Sequence, residues 1–220
     1  MRENEKTCCG YVVVIGKPNV GKSTLMNQLL KTNLSIVTRK AQTTRNTILG
    51  ILTENYYQIV FLDTPGILKP KYELQRFMVS EITSSLREAD IILQIMDASD
   101  IGKRDTQEGG IDDKELIKDK KLIIVLNKID LISKEDVLKA ISVLNTKFNY
   151  ENIVPISALN ATNINELKKL IVASLPESHF LYDKETLTDK PEKFFVTEII
   201  RQKILELFHE EIPYSVFVVV

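Results

Sequence analysis

Three short stretches of this 220-residue chain carry residue types whose spacing suits a magnesium-bound nucleotide. The first, Gly16-Lys17-Pro18-Asn19-Val20-Gly21-Lys22-Ser23, has the pattern G-x-x-x-x-G-K-S and runs on into Thr24. Its glycines let backbone N–H groups turn inward around phosphate oxygens, and a helix starting at Lys22 adds its positive end. The expected contacts are Gly16, Asn19, Val20, Gly21, Lys22, Ser23 and Thr24. Lys22 should reach the β- and γ-phosphates, and the Ser23 hydroxyl should ligate Mg²⁺. The second stretch, Asp63-Thr64-Pro65-Gly66, follows about forty residues later. There Asp63 would hold Mg²⁺ through a water and the Gly66 N–H would sense the γ-phosphate. The third, Asn127-Lys128-Ile129-Asp130, names the base. The Asp130 carboxylate can accept from guanine N1–H and the exocyclic amino group. Adenine offers neither donor there and would leave a buried carboxylate unpaired. Sites built on such bonds reject analogues by factors on the order of 10⁴. Ser157-Ala158 would add a backbone contact to guanine O6.

Between the first two stretches lies Gln42-Thr43-Thr44-Arg45. A threonine in such a loop can close on Mg²⁺ and the γ-phosphate and release after hydrolysis. Thr44 is favoured over Thr43 as that ligand.

These residues need a scaffold, and the hydrophobic pattern supplies one. Apolar runs at Tyr11–Ile15, Ile59–Leu62, Ile91–Met96, Leu122–Leu126 and Ile153–Ile156 predict strands, four of them nearly continuous, as in a parallel sheet buried on both faces. Helical patterns occupy Lys22–Leu30, Glu73–Leu86, Asp112–Lys118, Lys134–Phe148 and Ile164–Ser174. Ser133, with Glu135 and Asp136 behind it, reads as an N-cap. Leu49–Tyr57 contains a hairpin turn at Glu54-Asn55 that adds one antiparallel edge strand. The expectation is a P-loop-type α/β domain over residues 7–175, doubly wound and mostly parallel. Residues 176–190 read as a linker. Residues 191–220 read as an incomplete α+β segment, with a helix over Glu192–Glu210, a break at Pro213 and a strand over Tyr214–Val220.

Composition narrows the classes. Net charge is −1, so no bulk attraction to nucleic acid or anionic lipid exists. The only cysteines, Cys8 and Cys9, are adjacent, which excludes a disulfide framework or zinc site and suits a reducing cytoplasm. No run of 18 apolar residues could span a bilayer. His179, His209, Lys69, Lys71 and Arg45 are read as solvated, although Arg45 could equally meet phosphate or a partner, and Gly109-Gly110 as a flexible loop.

The motifs together resemble those of the Era family of bacterial GTPases. The likeness covers Gly16–Leu25, Gln42–Arg45 and Asp63–Gly66, and extends through Leu187–Phe194, Glu198-Ile199-Ile200-Arg201 and Glu211–Val216. The last three are similar to the junction where Era proteins enter a KH domain. The resemblance implies a GTPase assisting maturation of the small ribosomal subunit, contacting its rRNA, and associating peripherally with the inner membrane. It also implies that Asn19 ligates K⁺, whose charge would replace an arginine finger. KH domains grip RNA with a Gly-x-x-Gly loop, and none follows Pro191. Residues 191–220 also hold five acidic side chains against three lysines and arginines. Specific RNA binding is therefore expected to be lost in this chain, which reads as truncated.

The expected catalytic set is Lys22, Thr44, Gly66 and Asn19. A water-orienting glutamine is missing after Gly66, where Ile67 stands. Intrinsic turnover should then be slow, on the order of 10⁻³ s⁻¹. The competing readings are a tRNA-modification or tandem-domain ribosome-assembly GTPase, and a GTP-binding scaffold with little hydrolysis. An ATPase would leave Asp130 unpartnered.

Overall fold

Valine and isoleucine dominate the runs that become strands, because branched side chains pack well on a pleated surface covered on both sides. The computed structural model describes residues 6–38, 40, 43–67, 70–101, 117–148, 150, 152–208 and 216–220. Its strands are β1 (Cys8–Gly16), β2 (Ile48–Glu54), β3 (Tyr57–Asp63), β4 (Ile91–Asp97), β5 (Lys121–Asn127) and β6 (Ile153–Pro155). They form one sheet in the order β2-β3-β1-β4-β5-β6. All neighbours are parallel except β2–β3, which closes as a hairpin with Glu54 opposite Tyr57 around Asn55-Tyr56.

The helices are α1 (Lys22–Leu30), α2 (Glu73–Glu88), α3 (Lys134–Phe148), α4 (Ile164–Ser174) and α5 (Glu192–Leu207). On one face Val12 and Val14 meet Leu25, Met26 and Leu29 of α1 and Leu167 and Ile171 of α4. On the other, Val13 and Ile15 meet Ile82 and Leu86 of α2, while Ile124 and Leu126 meet Ala140 and Leu144 of α3. Each buried valine, leucine, isoleucine or methionine side chain among these contributes about 1.5–3 kcal/mol. Ser133 caps α3 as expected: its Oγ accepts from Asp136 N–H at 3.2 Å and donates to Asp136 Oδ2 at 2.9 Å.

Parallel pairing brings Gly16, Asp63, Asp97 and Asn127 to the same edge of the sheet, with Asp97 directly opposite Asn127. This is the carboxyl edge, where open α/β sheets place ligands. One expectation needs correction. Residues 216–220 form no strand, since they pair with no ladder. The segment 176–190 is laid against the sheet: Gln58 Oε1 accepts from the Leu181 and Tyr182 N–H groups at 2.8 and 3.0 Å, and Ile51 N–H donates to Leu187 O at 2.8 Å. Gln42, Leu68, Lys69, Gly109-Gly110, His209, Pro213, Tyr214 and nearly all of the helix read over 112–118 lie outside the described residues.

Candidate functional site

The turn after β1 is built for an anion. Gly21 sits at φ 99°, and a Cβ there would come within 2.3 Å of Asn127 Nδ2. Asn19 also has positive φ, at 62°. Helix α1 starts with no side-chain cap and no acidic residue in its first turn, so its N–H groups are left for a ligand. Lys22 is 6% exposed, and its Nζ donates to Gly16 O at 3.2 Å and Lys17 O at 3.0 Å. Burial pushes this ammonium down to about 8, and only the nearby Asp63 opposes that.

Asp63 is fully buried, and neither carboxylate oxygen has a hydrogen-bond partner among the described residues. Its carboxyl is pushed up by burial, with the Ser23 hydroxyl, Lys22 and the Ser35 hydroxyl pulling the other way. An orphaned carboxylate at this depth is costly unless a cation meets it. The hydroxyls of Ser23 and Thr44 stand 3.1 Å apart beside the same loop. A buried carboxylate with two hydroxyls fits Mg²⁺, a hard ion that keeps waters and substrate phosphates in its shell. Among the described residues, no three His, Cys, Asp or Glu side chains converge on a metal by themselves.

The structure also separates the two threonines. Thr43 Oγ1 is turned into its own loop, 2.7 Å from Thr38 Oγ1 and from Lys40 O. Thr44 is buried and turned toward Ser23. The Thr64 hydroxyl donates to Val14 O at 2.7 Å, pinning the second motif to β1. Gly66 lies so close to the first loop that a Cβ would be 2.8 Å from Pro18 N. Ile67 donates its N–H to Gly16 O at 2.9 Å and packs its side chain beside Val13, Ile15 and Leu62. That position serves the core and cannot orient a water.

On the base side, Asn127 is 2% exposed and works as a brace: Nδ2 donates to Val20 O at 2.7 Å, and Oδ1 accepts from Ala158 N–H at 2.9 Å. The Ala158 amide is thus already engaged, so a contact to guanine O6 from it would have to be shared. Ser157 is buried and bridges to Thr162. Asp130 lies exposed in the turn Ile129–Leu131, just beyond the end of β5, where its carboxylate is open to a ligand. Lys128 has φ 65° and pairs through Nζ with Asp97 Oδ2 at 2.6 Å. Burial pulls the Asp97 carboxyl upward, but Lys128 and Ser99 together hold it below the usual range.

A cavity of about 280 Å³ joins these parts, bounded by Asn19, Gly21, Lys22, Ser23, Thr24, Thr43, Thr44, Gly66 and Lys128. Sequence reasoning missed Asp97, whose place at the end of β4 was the available signal. It also missed Arg201 of α5, which reaches the Thr43 carbonyl at 2.6 Å. Arg45 is half-buried and donates to Val216 O at 3.2 Å, so it is no solvated loop arginine, whereas His179 and Lys71 are exposed as expected. Cys8 and Cys9 are free thiols, and burial pushes Cys9 up.

A family model described as 50S ribosome-binding GTPase matches residues 11–128. The GTPase Era of Caldanaerobacter subterraneus is 46% identical over 210 residues, spanning 95% of this chain and 70% of the relative. Era solved in complex with MgGDPNP and nucleotides 1506–1542 of 16S ribosomal RNA is similar at TM-score 0.86 and 42% identity, over 95% of this chain and 70% of that one. An Aquifex aeolicus Era variant bound to GDP·AlF4⁻ gives TM-score 0.86 and 41% identity, over 95% and 71% of the two chains.

Proposed function

Because this chain belongs to the Era family of GTPases, we propose that it is a magnesium-dependent GTP switch acting in maturation of the small ribosomal subunit. The observation that carries the switch is the orphaned Asp63 carboxylate beside Lys22 and the Ser23–Thr44 hydroxyl pair. Residues 7–175 form the nucleotide-binding domain, 176–190 a strap along the sheet, and 191–220 the start of an RNA-directed region.

Phosphoryl transfer requires positioning and charge compensation more than covalent chemistry. The phosphate-loop amides and the Lys22 ammonium hold the β- and γ-phosphates and take up negative charge as it develops. Ser23, Thr44 and Asp63 would hold Mg²⁺, which supplies further neutralisation at the same oxygens. The Gly66 N–H senses the γ-phosphate. Asp130 reads the guanine edge, Asn127 and Lys128 support it, and Ser157-Ala158 close the far side. With the partly buried Ile67 packed against the core, nothing in that position orients the attacking water, and turnover is slow, on the order of 10⁻³ s⁻¹. Asn19, at the rim of the cavity, is proposed to ligate a K⁺ ion that offsets part of this deficit. Turnover in KCl against NaCl at equal ionic strength, repeated with Asn19→Ala, tests it, and equal rates in both salts would remove the ion.

Ribosomal RNA is the proposed partner because a similar protein was solved with a 16S fragment. Residues 191–220 have no Gly-x-x-Gly loop, so this chain alone should bind that RNA weakly. Tight, steeply salt-dependent filter binding would contradict that. Peripheral membrane attachment rests on family likeness alone. No helix among the described residues is long and apolar enough to cross a bilayer. The central test is calorimetric titration with GDP and ADP in magnesium. GDP should bind at micromolar concentration or below, with ADP weaker by about 10² or more. Equal affinities, or none for GDP, would sink the reading.

A further inference from the structure

The loop that carries Thr44 is held from an unexpected direction. Helix α5 follows the strap and packs Phe194 and Phe195 against the main core. Further along it, Arg201 and Glu198 are 5% and 7% exposed. Arg201 Nε donates to Glu198 Oε1 at 2.8 Å, and Nη2 bonds the other carboxylate oxygen. The same Nη2 donates to the Thr43 main-chain carbonyl at 2.6 Å. Two neighbouring contacts are of the same kind. Gln202 Nε2 donates to Val37 O at 3.3 Å, and Arg45 Nη1 to Val216 O at 3.2 Å. Each ends on a main-chain carbonyl, so each responds to the path of the backbone.

An ion pair three residues apart on one helix is ordinary at a surface, as Lys203 and Glu206 of this helix show with side chains 64% and 38% exposed. Burying one is a different matter, because both charges lose their water. The guanidinium fork suits the task of meeting a carboxylate bidentately while keeping a donor for a third group. Here that group is the carbonyl of the peptide unit leading directly into Thr44. With the Thr43 hydroxyl engaged by Thr38 and Lys40, its carbonyl fixes where Thr44 can point. Thr44 points at Ser23.

We propose that Arg201, oriented by Glu198, is a positioning residue for Thr44, and that it couples the γ-phosphate state of the nucleotide site to helix α5. This rests on the GTP-switch reading given above. The coupling works both ways by linkage: a nucleotide that draws Thr44 inward tightens the α5 contact, and anything that shifts α5 releases Thr44.

The test compares GDP with a non-hydrolysable GTP analogue, in magnesium, on the full chain. GDP has no γ-phosphate for Thr44 to approach, so Arg201→Gln should leave GDP affinity within about twofold. The same variant should weaken the analogue about tenfold and lower kcat/KM for GTP by a similar factor. Arg201→Lys keeps one donor for the Thr43 carbonyl and should restore part of the loss, and Glu198→Gln should fall between. Unchanged analogue affinity would overturn the proposal, as would an equal loss for GDP and analogue, which marks a merely structural pair. If Arg201→Gln does not fold, hydrogen exchange on the unmodified chain decides. Replacing GDP by the analogue should change protection at residues 198–205 together with 43–45, and no change in α5 overturns the coupling. Failure of the unmodified chain to bind GDP would instead bring down the switch reading itself.

Discussion

Asn127→Ala should uncouple the two halves of the nucleotide site. In the wild-type chain its side chain satisfies the Val20 carbonyl at 2.7 Å and the Ala158 N–H at 2.9 Å, and Val20 and Ala158 are 5% and 1% exposed. Truncation strands both groups, and each stranded buried group costs about 1–3 kcal/mol. Water entering beside Val20 would recover part of that, which leaves about 2–4 kcal/mol. For a chain of this length that lowers the melting midpoint by about 4–16 °C. The two stranded groups also belong to different loops, the one that holds phosphate and the one that closes on the base. A nucleotide bridging them should bind about 10–100-fold more weakly, tenfold for each 1.4 kcal/mol. Asn127→Asp separates the contributions. It still accepts from Ala158, cannot donate to Val20, and puts an anion beside the phosphate loop, so it should lose less stability and more affinity. Melting curves of the ligand-free protein and titration with fluorescent GDP measure both quantities. A melting midpoint within about one degree of wild type and unaltered GDP affinity in Asn127→Ala would refute the brace.

Three further outcomes follow from the same geometry. The Lys22 ammonium, pushed down to about 8 from 10.5 by burial, is costly to keep charged in the ligand-free protein. Below about pH 8 that cost is fully present, and it is relieved as pH rises from 8 to 10.5, so wild type should gain up to about 3 kcal/mol relative to Lys22→Met across that window in chemical denaturation. Asp130→Asn replaces an acceptor by a donor and should weaken GDP by about 10² or more while favouring a xanthine nucleotide, whose C2 carries an oxygen; competition titration reads this directly. Ile67→Gln should not accelerate single-turnover hydrolysis, because the side chain packs beside Val13 and Ile15, and it should cost about 1–3 kcal/mol of stability.

The parallel sheet was legible because its strands are buried on both faces, so continuous apolar runs marked them. Their ends were not, since Gln58, Asp63, Lys121 and Asn127 are strand residues without hydrophobic character. The motif residues were legible for a different reason: a phosphate loop needs its glycines and lysine at fixed spacing, and the strand before and helix after it have strong periods. The sequence favours Thr44 over Thr43, and the coordinates add the direction in which the loop turns each hydroxyl. The strap at 176–190 has a linker's composition because much of what holds it is hydrogen bonding to main-chain groups and to Gln58, more than a hundred residues away, which leaves no hydrophobic period in its own sequence. Glu198 and Arg201 cannot be told from surface charges for an equally plain reason. Lys203 and Glu206 have the same three-residue spacing on the same helix and are exposed. Spacing alone cannot report what lies over a helix face.

That difference in legibility follows a physical division within the site. The parts readable from sequence are fixed to the sheet: the phosphate loop is tied by Asn127 to the base loop, and Asp63-Thr64 by a hydroxyl bond to β1. On the proposed function they must be rigid, since they would grip groups common to GTP and GDP. The Thr44 loop was legible as a motif but its restraints were not: its hydrogen bonds run within itself, to Ser23 and to α5. A loop that must respond to one phosphate cannot be locked into the core, because a ligand shifts an equilibrium only by its differential affinity for the two arrangements. Its restraints therefore have to be few and breakable, and placing one of them on α5 lets a helix outside the sheet register the change.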